Sequence, residues 1–175
     1  MVRNAVEFMT SLLQPLLRHK RQASVLAGVM IVILGLAGYY LASPLFIRTS
    51  LREPETTSQA AIVTGEITSH GSFVGADAFH FGSGRALIQE TTSGRHALRF
   101  EDFSVRNGPD LFVYLSPNAD GYAPDAINLG RLKATDGNFN YEIPEGTDLS
   151  RIKSVVVWCR QFSTLFATAK LSSAS

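Results

Sequence analysis

A stretch of 25 residues without a charged side chain, 23–47, constrains this chain more than any other feature. It reads ASVLAGVMIVILGLAGYYLASPLFI. At a rise of ~1.5 Å per residue, a helix of this length reaches roughly 37 Å, which exceeds the hydrocarbon core of a bilayer, about 30 Å thick. We therefore predict a transmembrane helix over 23–47, which makes the lipid bilayer a partner of the chain. A buried helix of a soluble domain is the alternative.

The basic residues that flank this stretch predict its orientation. Four Lys or Arg residues precede it, whereas only Arg48 and Arg52 follow it closely. Because the more basic flank tends to stay in the cytoplasm, we predict the N-terminus inside and residues 49–175 outside, in the periplasm or extracellular space. The competing interpretation is a cleaved signal peptide, whose apolar region is usually about 7–15 residues long. An uncleaved signal anchor fits the longer stretch better.

The segments on either side of the span are predicted to lack a domain of their own. Residues 1–22 form a cytoplasmic tail, in which apolar residues between Ala5 and Leu16 recur at helical spacing. This pattern is compatible with an amphipathic helix in the membrane interface, and a disordered tail is the alternative. Residues 49–59 are polar and poor in large apolar side chains, and a linker is predicted over 48–63.

The remaining chain, 64–172, is predicted to be an all-β domain. Short β-rich runs alternate with turn signals at intervals of about ten residues, a pattern typical of a sandwich or barrel and not of βαβ units. We predict an antiparallel β-sandwich of about nine strands. The runs, the first of which begins before residue 64, are AAIVTGEIT, AFHF, RALIQE, HALRFEDFSV, LFVYLS, INLGRL, FNYEI, SVVVWC and LFATAKL.

Two of these runs carry finer detail. In LRFEDFSV the apolar alternation slips by one residue between Phe100 and Phe103. This slip predicts a β-bulge near 101–102. In VVVWC both faces of the strand are apolar, which predicts a central strand covered on both sides, with Cys159 at its end.

Charge and motif patterns exclude several classes of function. Residues 49–175 hold 11 basic and 14 acidic side chains, a net charge of −3, so we predict no nucleic-acid partner. No nucleophile elbow or zinc-ligand spacing is present, so we predict no metal site and rank a hydrolase third, behind a redox domain and a binding module. A single cysteine permits neither an intrachain disulfide nor covalent attachment of c-type haem.

Cys159 supports two readings. Free cysteine often behaves as a small buried hydrophobe, which needs no functional explanation. An unpaired thiol in an exported domain is nevertheless a liability that invites a specific reason, and it could also pair between chains. Arg160 would stabilise a thiolate if its side chain reached the sulfur, but neighbouring strand residues point to opposite faces.

Four segments, taken in order, resemble the DM-thirteen domain, a proposed electron-transfer module also found beside DOMON domains. They are GSFVGADAFHFGSGRALI, LRFEDFSVRNGPDLFVYLS, LGRLKATDGNFNYEIP and SVVVWCRQFSTLFATAKL. The resemblance runs from about Gly65 to Leu171 and implies a β-sandwich, here in a membrane-anchored version. It implies that Cys159 is the family's hallmark cysteine, acting as a bare redox thiol or as a haem ligand. His80 matches a histidine of the first family motif and could ligate haem on the other side.

Two functions therefore remain open at this point. The first is electron transfer or thiol redox chemistry through Cys159, with an unknown redox or protein partner outside the cytoplasm. The second is a non-catalytic binding or structural module, for which the loop 117–128 is the longest candidate surface.

Overall fold

The structure is a computed structural model that describes residues 22, 24–43, 47–54, 56–57, 61–62, 66–91 and 94–174, with backbone alone at 56–57 and 61–62. The predicted tail lies outside these residues except for Gln22. The chain divides after Ser43 into two units, an apolar helix and a β domain.

One helix among the described residues is long and apolar enough to cross a membrane. This helix, α1, covers Ser24–Ser43, and its side chains are not buried within the protein. Ile31 and Leu34, for example, are 69% and 65% exposed. Its 20 residues span about 30 Å, the thickness of a hydrocarbon core. A signal sequence near the N-terminus would satisfy the same test of length and composition.

The described residues of the β domain form twelve strands and a short 3-10 turn, Leu149–Arg151. The strands are β1 (Ser50–Arg52), β2 (Thr56–Thr57), β3 (Ala61–Ile62), β4 (Ile67–Gly75), β5 (Gly82–Glu90), β6 (His96–Val105), β7 (Leu111–Ser116), β8 (Ile127–Arg131), β9 (Asp136–Glu142), β10 (Ser154–Cys159), β11 (Thr164–Lys170) and β12 (Ser172–Ser173). Ten of them form one curled, mixed sheet in the order β1-β9-β6-β5-β4-β11-β10-β7-β8, in which β12 adds to β4. The other two, β2 and β3, pair with each other in a separate antiparallel sheet.

Strand β4 joins the two halves of the sheet. Its first part pairs with β12 and its last part with β11, while β5 lies along its other edge. At the change of partner, a Cβ on Gly71 would lie 2.2 Å from the carbonyl oxygen of Lys170. Only glycine allows the two backbones to approach this closely, so Gly71 is a requirement of the curl.

Aromatic rings fill the concave side of the sheet. The rings of Phe73, Phe103 and Phe139 surround Phe100, with centroids 4.8, 4.7 and 5.3 Å from its own. Valines of β10 complete the core from the other half of the sheet. Because each buried Phe contributes roughly 2–3 kcal/mol, this cluster is a principal source of the domain's stability.

Three predictions about the domain are confirmed. The β domain is all-β, although its strands form one curled sheet that contains a single parallel pair, β1 with β9. The pairing of β6 with β9 shifts register between Phe100 and Phe103, and Asp102 has φ 46°, so the bulge lies where the alternation slips. Strand β10 lies between β11 and β7, and Val156 on its outer face is fully buried.

Two predictions differ from the structure. The run AFHF is not a strand: residues 76–80 bend, because the Asp77 side chain accepts hydrogen bonds from the backbone N–H groups of Phe79 and His80. The predicted linker 48–63 contains β1, which pairs with β9 and is therefore part of the sheet. The outer bounds of the domain, 64 and 172, stay a prediction.

Candidate functional site

Cys159 is the last residue of β10 and lies in the hydrophobic core. Its neighbours in register are Leu111 on β7 and Thr164 on β11. The side chain is 0% exposed and belongs to the same buried cluster as Leu111 and Phe166. The sulfur therefore occupies an apolar position at the end of a central strand.

Arg160 lies on the opposite face of the sheet from the Cys159 sulfur. Its guanidinium carbon stands 4.5 Å from the ring centroid of Phe112, and Phe112 is the register partner of Trp158 on the outer face. The backbone N–H of Arg160 donates to the carbonyl of Asp110 at 3.0 Å. The strand alternation thus directs this cation away from the thiol.

His80 is held by Asp77 at the end of the β4–β5 loop. The distance from its Nδ1 to Oδ2 of Asp77 is 2.7 Å, and the His80 side chain is 19% exposed. A carboxylate only accepts, so this hydrogen bond requires Nδ1–H of His80 to donate. The ring hydrogen bond, followed by the backbone N–H of His80, holds the pKa of Asp77 below its usual value.

Phe166 separates His80 from the strand that carries Cys159. In the pairing of β10 with β11, Val157 faces Ala167 and the next residue, Trp158, faces Leu165. Phe166 therefore has no partner on β10 and is the extra residue of a bulge. Its ring lies 4.5 Å from that of His80 in an edge-to-face arrangement. A bulge re-aims one side chain, and here it turns Phe166 into the core.

Cys159 and His80 lie at the same end of the domain without touching. Phe166 contacts His80, and Leu111 is the register partner of Cys159. Both side chains approach Gly108, where an added Cβ would lie 2.8 Å from Phe166 Cζ and 3.0 Å from Leu111 Cδ2. Among the described residues, no hydrogen bond, ion pair or ring contact joins His80 to Cys159.

These residues do not fit a haem held between them. Neither Cys159 nor His80 lines the cavities of about 220, 390 and 90 Å³ that the described residues form around Ile143, Thr168 and Pro109. A cofactor pocket usually has roughly 300–1,000 Å³ and opens on its ligating atoms, whereas Cys159 is enclosed. We therefore derive no step through haem.

An aromatic platform on the outer face was missed by the sequence analysis. The ring of Tyr122 stacks on Trp158, with centroids 4.6 Å apart and planes at 17°. Tyr114 meets Tyr122 edge to face at 5.2 Å, and burial raises the pKa of Tyr114. The stack joins residues far apart in sequence, so only the tyrosine in the loop 117–128 hinted at it.

The platform is rigid because side chains fasten the loop that carries Tyr122. The hydroxyl of Ser116 donates to the carbonyl of Gly121, and that of Ser154 donates to the carbonyl of Asn118, both at 2.6 Å. Such bonds to a loop backbone fix its conformation where no strand pairing is available.

Fold and site together define an all-β domain with one buried cysteine at the end of its central strand. The family model described as Electron transfer DM13 matches residues 73–171, more than half of the chain, and the chain belongs to this family. A search of curated proteins found no match, and neither did a search of solved structures.

Proposed function

We propose that this protein is a membrane-anchored electron-transfer domain outside the cytoplasm, with Cys159 as its redox group. The observation that carries the proposal is the family match, since it covers the strand on which the single cysteine lies. No second thiol exists in the chain, so the chemistry must involve a sulfur or an electron acceptor of another molecule.

Anchoring is assigned to α1. Its apolar side chains are not buried by the described residues, and transfer of apolar area of this extent into lipid is favourable. The excess of basic residues before the helix favours a cytoplasmic N-terminus, which leaves the β domain on the other side. Disulfides persist in that compartment, so they are available as reaction partners.

The step we propose is thiol–disulfide exchange with a partner disulfide. Cys159 loses its proton to water and its thiolate attacks one partner sulfur. A bond forms between these two sulfurs while the partner's own disulfide breaks, and the second partner sulfur leaves as a thiolate. The Cys159 sulfur is oxidised and the departing sulfur is reduced, so electrons balance without a further reactant.

Burial requires the end of β10 to open before the sulfur can react. The turn Arg160–Ser163 follows Cys159 directly, and Ser163 has φ 47°, a conformation that non-glycine residues adopt at a cost of about 1–3 kcal/mol. Strand ends next to such turns open locally at less than the global free energy of unfolding. Local opening therefore gives controlled access to a thiol that is otherwise protected from oxidation.

The reaction of the full chain with glutathione disulfide tests this proposal. We expect the native chain in vesicles to gain one glutathionyl group, at Cys159, as measured by intact mass and peptide mapping. The matched control is Cys159→Ala, which should gain none. A native chain that stays unmodified under the same conditions would contradict a redox role for the thiol.

A visible spectrum of the natively purified chain tests the cofactor question separately. Because Cys159 is fully buried in the core and the Nδ1 atom of His80 is engaged by Asp77, we expect no Soret band. A Soret band lost in both Cys159→Ala and His80→Ala would contradict this expectation and restore haem ligation by the two residues.

A second function is favoured by the Tyr122 platform. A fixed loop that presents stacked aromatic rings is typical of a binding surface. If the protein is a binding module, its biological activity should survive Cys159→Ala and be lost when residues 117–128 are shortened. The opposite pattern would leave the redox proposal alone.

A further inference from the structure

We infer that one end of the β domain docks onto the surface of the bilayer that holds the anchor. We call this region the Ile47 end; it consists of Ile47 and Arg48 together with the loops 76–81, 106–110 and 160–163. The inference rests on the proposed anchoring by α1.

Contacts within the β domain place the first of these segments together. The side-chain amide of Asn107 donates to the carbonyl of Ile47 at 2.9 Å. The guanidinium of Arg106 donates to the carbonyl of Phe79 and stands 5.2 Å from the ring centroid of Phe81. The loops 76–81 and 106–110 therefore meet where the chain joins the domain.

The turn between β10 and β11 belongs to the same end. Its first residue, Arg160, donates its backbone N–H to the carbonyl of Asp110 at 3.0 Å. Phe162 lies two residues further along, at the tip of this turn. Three loops and the first residues of the domain thus share one surface.

Exposed apolar side chains are concentrated on this surface. Phe79 and Phe162 are 51% and 57% exposed, and Ile47 is 51% exposed. Among the described residues of the β domain, only Ile67 and Val74 are further large hydrophobics of this kind. Exposed phenylalanine and aliphatic side chains are favoured at the boundary between lipid headgroups and acyl chains, whereas a surface that faces water normally avoids such a patch.

The charges of the Ile47 end suit lipid phosphates. Arg106 and Arg160 stack on phenylalanine rings, and no carboxylate of the described residues forms an ion pair with either guanidinium. The nearby carboxylates of Asp77, Asp110 and Asp136 are each paired, with His80, Arg131 and Arg48 respectively. The two arginines are therefore the cations left to attract phosphate groups.

The short connection between α1 and the β domain identifies the bilayer as the surface to which the Ile47 end binds. Only residues 44–46 separate α1 from Ile47, and four peptide steps reach at most about 14 Å. A domain tethered this closely presents its point of attachment to the surface at a high effective concentration. The exposed phenylalanine rings at that point suit the boundary with the acyl chains, and the two arginines suit the layer of lipid phosphates. Both layers lie within reach of so short a tether.

Tryptophan quenching in vesicles tests the inference on the full chain. Trp158 is the only tryptophan, so Trp158→Phe provides a silent background. In this background, Phe162→Trp reports on the Ile47 end, and Glu145→Trp is the matched control in the loop after β9, where the Glu145 side chain is 79% exposed. The vesicles contain phosphatidylcholine with brominated acyl chains and phosphatidylglycerol.

Docking predicts several-fold stronger quenching for the tryptophan at 162 than for that at 145. Equal, weak quenching at both positions, in a chain that floats with the vesicles, would overturn docking while leaving the anchor intact. A chain that does not float would overturn the anchoring itself, and docking with it.

Hydrogen exchange on the unmodified chain gives a second test that does not depend on the tryptophan background. Docking predicts that peptides covering 76–81 and 160–163 exchange several-fold more slowly with phosphatidylglycerol present than in phosphatidylcholine alone. The loop 143–148 should exchange equally in both. An equal exchange rate at all three loops would contradict the inference.

Discussion

Cys159 and Leu111 are register partners on neighbouring strands, and both side chains are buried in the core, with 0% and 5% exposed. The only thiol of the chain therefore begins any reaction from an apolar, closed position. An opening of the strand end must precede the chemistry, and the stability of this region controls its rate.

Substitutions of Cys159 should separate packing from chemistry. Cys159→Ser buries a hydroxyl without an assured partner and is expected to lower the free energy of unfolding by about 1–3 kcal/mol. Cys159→Ala removes only a small apolar group and should cost about 1 kcal/mol. Urea unfolding measures both, and a serine variant as stable as the wild type would contradict the buried position.

The stack of Tyr122 on Trp158 should be visible in fluorescence. Tyr122→Ala uncovers the only indole of the chain, so its emission should shift to longer wavelength and quench more readily with iodide. The lost ring contact should also cost about 0.5–1.5 kcal/mol of stability. Tyr122→Phe keeps the ring and is the matched control, in which the emission should stay unchanged.

Tyr141 should make the domain sensitive to alkaline pH. Its hydroxyl donates to the carbonyl of Arg131 at 3.2 Å and accepts from the backbone N–H of Lys133 at 3.0 Å. Burial raises the pKa of Tyr141, so the folded chain keeps this phenol neutral while the unfolded chain ionises near pH 10. The stability contributed below that pH is therefore lost as the pH rises further.

The variant Tyr141→Phe isolates this contribution. At pH 7 it should be less stable than the wild type by about 1–2 kcal/mol, because two backbone groups lose their partner. Above about pH 10 the difference in unfolding free energy should shrink, since only the wild type carries the phenol. A difference that stays constant with pH would contradict the burial of Tyr141.

Asp77 should control the order of the loop that carries His80. The pKa of Asp77 is lower in the folded chain than in the unfolded chain, where it is about 4. The stability that its carboxylate contributes is therefore present above about pH 4 and is lost as the pH falls through the lower, folded pKa. Asp77→Asn should therefore speed hydrogen exchange of the Phe79 and His80 amides at neutral pH and have little effect once the pH lies below the lowered pKa of Asp77. Asp120→Asn removes another exposed ion pair and should leave these amides unchanged.

Patterns within single strands correctly predicted those features of the domain that depend on one strand alone. The slip between Phe100 and Phe103 located a bulge, and the two apolar faces of VVVWC identified a central strand, because side-chain period and burial are properties of one strand. The single cysteine was placed correctly at the end of that strand.

Other features depend on contacts that no local pattern contains. AFHF alternates like a strand, but the Asp77 carboxylate caps the backbone into a bend. The polar residues of β1 resemble a linker, yet they pair in parallel with β9, far along the chain. The position of Phe166 between His80 and the β10 strand follows from a bulge that a single-strand pattern does not reveal.

The most direct test of the redox proposal is the rate at which glutathione disulfide modifies Cys159 as a function of urea concentration. If the thiol reacts through local opening at the end of β10, the rate at low urea should exceed that allowed by global unfolding and depend only weakly on urea. A rate that follows the full unfolding dependence down to zero urea would show that Cys159 is a structural residue, and would contradict the proposal.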